Sequence, residues 1–167
     1  MSLFSRLSFA EGQRGDAEKE IHDVDQIARE TDEAPGVPEP TTNPGDSDHG
    51  TGVLLKTLKP GDITHFPSKG DICTIHYEAF TDAELRESKA PEPFDSSRSR
   101  GQPFKFRLRA GQVIAGMDVA VSSMSIGQEV QATIHYSHAY GVAGYPPVVP
   151  PRTTLVFRIE LLSFENY

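Results

Sequence analysis

Residues 140–152 read YGVAGYPPVVPPR. Four of the six positions from Pro146 to Pro151 are proline, and Gly141 and Gly144 precede them. Such a stretch is either a polyproline helix offered to a partner or a stiffened loop that holds apolar side chains over a pocket. In isolation PVVPPR fits a PxxPxR ligand for SH3-type domains. Its neighbours argue otherwise. Upstream, EVQATIHY (129–136) alternates Val130, Ala132, Ile134 and Tyr136 with Glu129, Gln131, Thr133 and His135. Downstream, LVFRIEL (155–161) alternates Leu155, Phe157, Ile159 and Leu161 with Val156, Arg158 and Glu160. A proline-rich segment between two such strands reads as a connection inside one sheet, with proline fixing φ and glycine allowing the turns.

The alternation recurs. In CTIHYEA, Cys73, Ile75, Tyr77 and Ala79 share one face, and in FKFRLR, Phe104, Phe106 and Leu108 do the same. Period two with one wet face means an antiparallel sheet. One segment departs from it: Met117, Ala120, Val121 and Met124 fall at helical spacing, and Gly127 follows as a stop. A single short helix among one-sided strands must cover the apolar face of the sheet, so the fold class is α+β, a sheet curled around one helix.

The 167 residues carry a net charge of −8, and the excess is local. Residues 1–51 hold four Lys and Arg against twelve Asp and Glu, and the remainder holds twelve of each. Residues 32–50, DEAPGVPEPTTNPGDSDHG, contain four prolines, three glycines and almost nothing apolar, which is linker composition. Residues 1–50 therefore read as an acidic, unfolded extension and 51–167 as the folded domain. Ile21, Val24 and Ala28 would line a short helix that is marginal without a partner. The opening MSLFSRLSFA, with Leu3, Phe4 and Leu7, is too short an apolar run for a secretory signal. The acidic flank repels phosphate and the rest is neutral, so no nucleic-acid footprint is expected. No apolar run is long enough to span a membrane. The single cysteine, Cys73, fits a reducing, cytoplasmic setting.

Nucleophile and metal chemistry find little support. Cys73 and His76 point to opposite faces of one strand, so they cannot pair as nucleophile and base. Cys73 reads as a small buried hydrophobe. His135 and His138 are three apart with no carboxylate or thiol nearby, so no metal site and no cofactor is expected.

The segments FDSSRSRGQPFKFRLRAGQVIAGMD (94–118), MSIGQEVQATI (124–134) and HAYGVAGYPPVVPPRTTLVFRIELL (138–162) closely resemble the FKBP-type peptidyl-prolyl cis/trans isomerases, the macrolide-binding immunophilins. The resemblance runs from about Gly52 to Phe164, through GVLLKTLKPGD and FPSKGDICTIHYEA. It implies an FKBP-like fold, a bent antiparallel sheet wrapped around one short helix. It also implies a proline pocket formed by Tyr77, Phe94, Asp95, Tyr140 and Phe157, with Arg100, Phe104, Gln112, Val113, Ile114, Met117, Tyr145 and Val149 binding substrate or macrolide. In that pocket the Tyr140 hydroxyl and the Ile114 backbone N–H would donate to ligand carbonyls, and Tyr77 and Arg100 would hold Asp95. The chain departs from the family in three places. Met117 stands where tryptophan is common, Tyr145 stands where histidine is frequent, and EAFTDAELRESKAPEP is a longer connection before Phe94.

The function so implied is rotation of Xaa–Pro bonds in protein substrates, by desolvation in an aromatic pocket and without covalent chemistry. Tacrolimus- and rapamycin-type macrolides are the implied ligands. Calcineurin or a TOR-type kinase would be partners through the drug complex. The alternative is a module on the same fold that binds or scaffolds proline segments without turnover.

Overall fold

The computed structural model describes Phe4, the backbone of residues 46–48, and residues 52–166. The helix expected around Ile21, Val24 and Ala28 lies outside the described residues. So does most of the apolar opening.

Seven strands form one antiparallel sheet: β1 (Asp46–Asp48), β2 (Val53–Lys59), β3 (Ile72–Thr81), β4 (Asp95–Ser96), β5 (Phe104–Arg107), β6 (Glu129–Ile134) and β7 (Leu155–Glu165). Their spatial order is β1-β2-β6-β7-β3-β4, with β5 sharing the outer side of β3. Within residues 52–166 two short α-helices, α1 (Asp82–Glu87) and α2 (Ala115–Ser122), accompany it. The strand β1 lies inside the stretch whose composition reads as linker. Its backbone pairs Asp46 with Lys56 and Asp48 with Leu54, because an unpaired β2 edge accepts any extended chain that reaches it.

The central pairing joins β3 to β7 from Ile72↔Glu165 to Thr81↔Leu155. Phe157 sits between two alanines, Ala79 on β3 and Ala132 on β6, all three fully buried. Small residues on both sides leave the ring the room it needs within a close-packed layer. The core faces predicted from alternation are buried in β3, β6 and β7, while in β5 Phe106 is buried and Phe104 half-buried; Val156, expected on the wet face of β7, is buried as well. Two ends differ. Strand β6 stops at Ile134, because His135 makes the last ladder bond to the Gly52 carbonyl (2.8 Å) and its ring then accepts from the Ser137 N–H (3.3 Å), opening the 3-10 turn Tyr136–His138. Tyr136 is thus half-buried rather than on the core face.

Helix α2 ends at Ser122, well before the expected stop at Gly127. The hydroxyls of Ser122 and Ser123 donate back to the Asp118 and Ala120 carbonyls and satisfy the last turn. Gly127, at φ +82°, shapes the entry to β6 instead. Met124, two residues beyond the helix, remains fully buried. The longer connection before Phe94 contains α1, with the Thr81 hydroxyl accepting from the Glu84 N–H (3.2 Å) as its N-cap.

Helix α2 approaches the sheet through Gly116, where a Cβ would lie 2.4 Å from Ile134 Cγ2. That distance is a clash, so the helix is as close to β6 as backbone allows. Gly116→Ala should therefore cost about 1–3 kcal/mol in denaturant unfolding by overpacking, despite alanine's better helix propensity. Ile134→Val in the same chain should recover part of that loss.

Burial, with a smaller contribution from Asp71 and Asp118, pushes the Cys73 thiol up to about 12. The unfolded thiol ionises near its ordinary value of 9.0 while the folded one stays protonated. Cys73 therefore stabilises the fold fully below about pH 9, and that contribution declines as pH rises toward 12, by at most about 1.4 kcal/mol per pH unit. Cys73→Ala should show a shallower loss of stability between pH 9 and 10.5 in urea titrations.

Candidate active site

Tyr77 lies on the core face of β3, so its ring is buried and its hydroxyl needs a partner. That hydroxyl donates to Asp95 Oδ2 at 2.6 Å. Arg100 completes the set, with one Nη donating to Asp95 Oδ1 and the other to the Tyr77 hydroxyl at 3.0 Å. The guanidinium also sits 5.7 Å from the Tyr77 ring centroid. Both carboxylate oxygens are engaged, so Asp95 is held as an orienting group.

Ser97 puts Asp95 in place. It is fully buried, its hydroxyl accepts from the Tyr77 N–H (2.9 Å), and its own N–H donates to the Tyr77 carbonyl (3.0 Å). His76 Nδ1 also meets this hydroxyl at 2.9 Å. The two-residue β4 pairs Ala79 with Asp95 and Glu78 with Ser96, and Ser97 extends that ladder with a side chain. Nothing in DSSRSR singles this serine out, because serines are common in any connection.

Around Tyr77 stand Phe104, with centroids 5.8 Å apart, and Phe157, at 6.1 Å. Met117, Val113, Ile114 and Val149 belong to the same buried cluster, with Phe94, Phe104, Tyr140 and Tyr145 packed on its border. The Ile114 carbonyl accepts from the Met117 N–H (3.0 Å), which opens α2 at this cluster. Gln112 is apart from the others: it is exposed, and its Oε1 accepts from the Arg107 N–H at 2.8 Å.

The proline-rich connection closes on itself. Tyr145 and Val149 exchange backbone bonds of 2.8 and 2.9 Å, and Arg152 has φ +52°. A polyproline helix has no internal bonds and negative φ, so PVVPPR does not adopt the conformation an SH3-type domain reads. The loop buries Val149 instead and holds Tyr140 and Tyr145 with ring centroids 5.5 Å apart.

One buried polar atom stands out. The Tyr140 hydroxyl has no hydrogen-bond partner among the described residues. Burial, reinforced by the negative charge of Asp95, pushes its ionisation far above the ordinary tyrosine value. It stays protonated, a buried donor that no described residue accepts from.

A further aromatic ring, unforeseen from the sequence, fills the middle of the cluster. Phe4 is 1% exposed, with centroids 5.1 Å from Tyr77, 5.2 Å from Phe104 and 6.0 Å from Phe157. Its only sequence signal is its place in the short apolar opening MSLFSRLSFA.

Residues 64–162 match the family model described as FKBP-type peptidyl-prolyl cis-trans isomerase. The chain belongs to that family. It is 43% identical over 111 residues to "FK506-binding protein 1" of Eremothecium gossypii, a match covering 66% of this chain and 91% of that protein. Among solved structures it resembles the crystal structure of FkpA from Escherichia coli, with a TM-score of 0.62 and 29% identity. That match covers 74% of this chain and 53% of FkpA, so the chain spans about half of that protein. The activity is peptidyl-prolyl cis/trans isomerisation, on the bent antiparallel sheet and short helix expected from the alternation.

The two buried phenols of this isomerase make opposite predictions. Tyr140→Phe deletes an unsatisfied donor, so it should raise unfolding stability by about 1 kcal/mol. The same change should lower kcat/KM on an Xaa–Pro peptide about three- to tenfold, the worth of one hydrogen bond. Tyr77→Phe, which leaves Asp95 short of a donor, should lose stability.

Proposed function

We propose that the cluster bounded by Tyr77, Phe94, Asp95, Tyr140 and Phe157 is where this isomerase twists the Xaa–Pro bond. Arg100, Phe104, Gln112, Val113, Ile114, Met117, Tyr145 and Val149 shape the site and bind its ligands. The observation that carries this reading is the buried Tyr140 hydroxyl, without a partner among the described residues, at the border of an apolar and aromatic cluster. A donor left unsatisfied in the resting protein costs about 1–3 kcal/mol, and a ligand carbonyl recovers it.

The barrier to rotation, roughly 18–20 kcal/mol, comes from amide resonance, and water strengthens it by stabilising the charge-separated planar form. Moving the amide among Tyr77, Phe104 and Phe157 strips that water. The twisted amide has less charge separation and loses less by the transfer. Each 1.36 kcal/mol so gained is tenfold in rate. No residue needs to donate or take a proton. Cys73, held near 12, and Tyr140, held higher still, both stay protonated at neutral pH.

The same surface suits macrolides of the tacrolimus and rapamycin type, a reading supported by the name of the Eremothecium relative. Calcineurin or a TOR-type kinase would then be reached through the drug complex, and the single buried thiol suits a cytoplasmic setting. The unit carrying the activity is residues 51–167, with 1–50 as its extension. Among the described residues no helix is long and apolar enough to cross a membrane.

An isomerase assay on Xaa–Pro peptides tests the mechanism. Turnover should be inhibited by tacrolimus, and kcat/KM should vary less than about twofold from pH 6 to 8 because no titrating group transfers a proton. A bell-shaped profile in that range would overturn the desolvation mechanism.

A further inference from the structure

Phe4 occupies the space a substrate needs. Its ring lies within 5.1–6.0 Å of Tyr77, Phe104 and Phe157, the three aromatic walls of the cavity. With Phe4 seated, Tyr77, Met117 and Phe157 are all at 0% exposure and Val149 is at 1%. A proline ring cannot reach those walls while the phenylalanine is between them, because two rings cannot share one close-packed volume. The two occupants are mutually exclusive.

Phe4 also uses the site incompletely. It satisfies the apolar walls and leaves the Tyr140 hydroxyl without a partner among the described residues. A ligand carrying a carbonyl beside an apolar ring satisfies both, so it holds an advantage over the resident side chain. We propose that Phe4 is an intramolecular competitive ligand of the proline pocket, and that substrates and macrolides bind only when it leaves. This rests on the reading of the cluster as the isomerase site.

The expected size of the effect follows from tethering. Removing a phenylalanine ring from water favours burial by about one to two orders of magnitude, part of which is lost in ordering the chain that carries it. A tethered ligand acts at up to a millimolar effective concentration, so a weak contact is enough to hold the closed form in the majority. Apparent affinity falls by the fraction of molecules that are open. A closed form populated three- to tenfold over the open one lowers it by about the same factor.

The test compares the full chain with its Phe4→Ala and Phe4→Asp variants, by isothermal titration with tacrolimus and by initial rates on an Xaa–Pro peptide. Both variants should bind three- to tenfold more tightly and show a kcat/KM raised by the same factor, with kcat unchanged, which is the pattern of a lost competitor. A synthetic peptide of residues 1–9 should then inhibit the Phe4→Ala protein competitively. Wild-type and variant proteins that are equally active and bind equally would overturn the proposal and leave the isomerase reading intact. Loss of both activity and stability in Phe4→Ala would make Phe4 a core residue and overturn it too. Failure of all forms to turn over peptide or bind tacrolimus would sink the site assignment itself. Wild-type affinity that falls with protein concentration would assign the ring to a second copy and refute the intramolecular form.

Discussion

A tyrosine on the inner face of a sheet must bury its ring and still find a partner for its hydroxyl. At Tyr77 that requirement joins the fold to the site. The ring is placed by the long β3–β7 pairing, opposite Ile159, and the hydroxyl is placed by Asp95, which sits on a strand of only two residues. Such a strand is too short to hold its own register, and Ser97 supplies what it lacks by bonding to both backbone groups of Tyr77. Arg100 then neutralises the carboxylate and covers the ring face. An ionised carboxylate 8% exposed would be costly alone, whereas paired and doubly hydrogen-bonded it fixes one wall of the cavity rigidly.

Tyr140 shows the opposite arrangement of the same side chain. Its ring packs on the cluster border, but no described residue accepts its proton. A folding sequence free of functional demands would remove that hydroxyl or supply an acceptor. The contrast between a satisfied Tyr77 and a Tyr140 unsatisfied among the described residues is what supports the proposed roles of the first as wall and the second as ligand contact. The loop that carries Tyr140 is stiff for the same reason. Reciprocal bonds between Tyr145 and Val149 keep the donor aimed without a partner to anchor it.

Much of this was legible in one dimension. Alternation identified the inner faces of β3, β5, β6 and β7, since a sheet with one buried face leaves period two in the chain. Helical spacing found α2 and its buried positions. What failed to register had no periodic trace. Only Val53 and Leu55 are buried in β2, and its remaining residues are wetter, so no full alternation marks it. Strand β4 is two residues long. The end of α2 falls where two serine hydroxyls meet the Asp118 and Ala120 carbonyls, and the glycine expected to stop it lies too far along the chain to cap that turn. Ser97 acts by position alone. Nor does the motif that places Gln112 with the ligand contacts reveal that its side-chain amide is tied to the Arg107 backbone.

The extension shows where compositional reasoning stops. Composition measures whether a segment can bury enough surface to order itself, and by that measure residues 1–50, rich in acids, proline and glycine, read as an unfolded extension. It does not measure whether single residues find sites already built elsewhere. Strand β1 needs only backbone groups and an open β2 edge, so acidic side chains are no obstacle to its pairing. Phe4 needs only a cavity lined by Tyr77, Phe104 and Phe157 that the rest of the chain has already organised. A pocket shaped to take a proline ring away from water is, by the same property, a pocket for any flat apolar side chain within reach. On the proposed assignment, selectivity for substrate over that resident comes from the polar end of the site, where a carbonyl would meet the Tyr140 hydroxyl and a phenylalanine has nothing to offer.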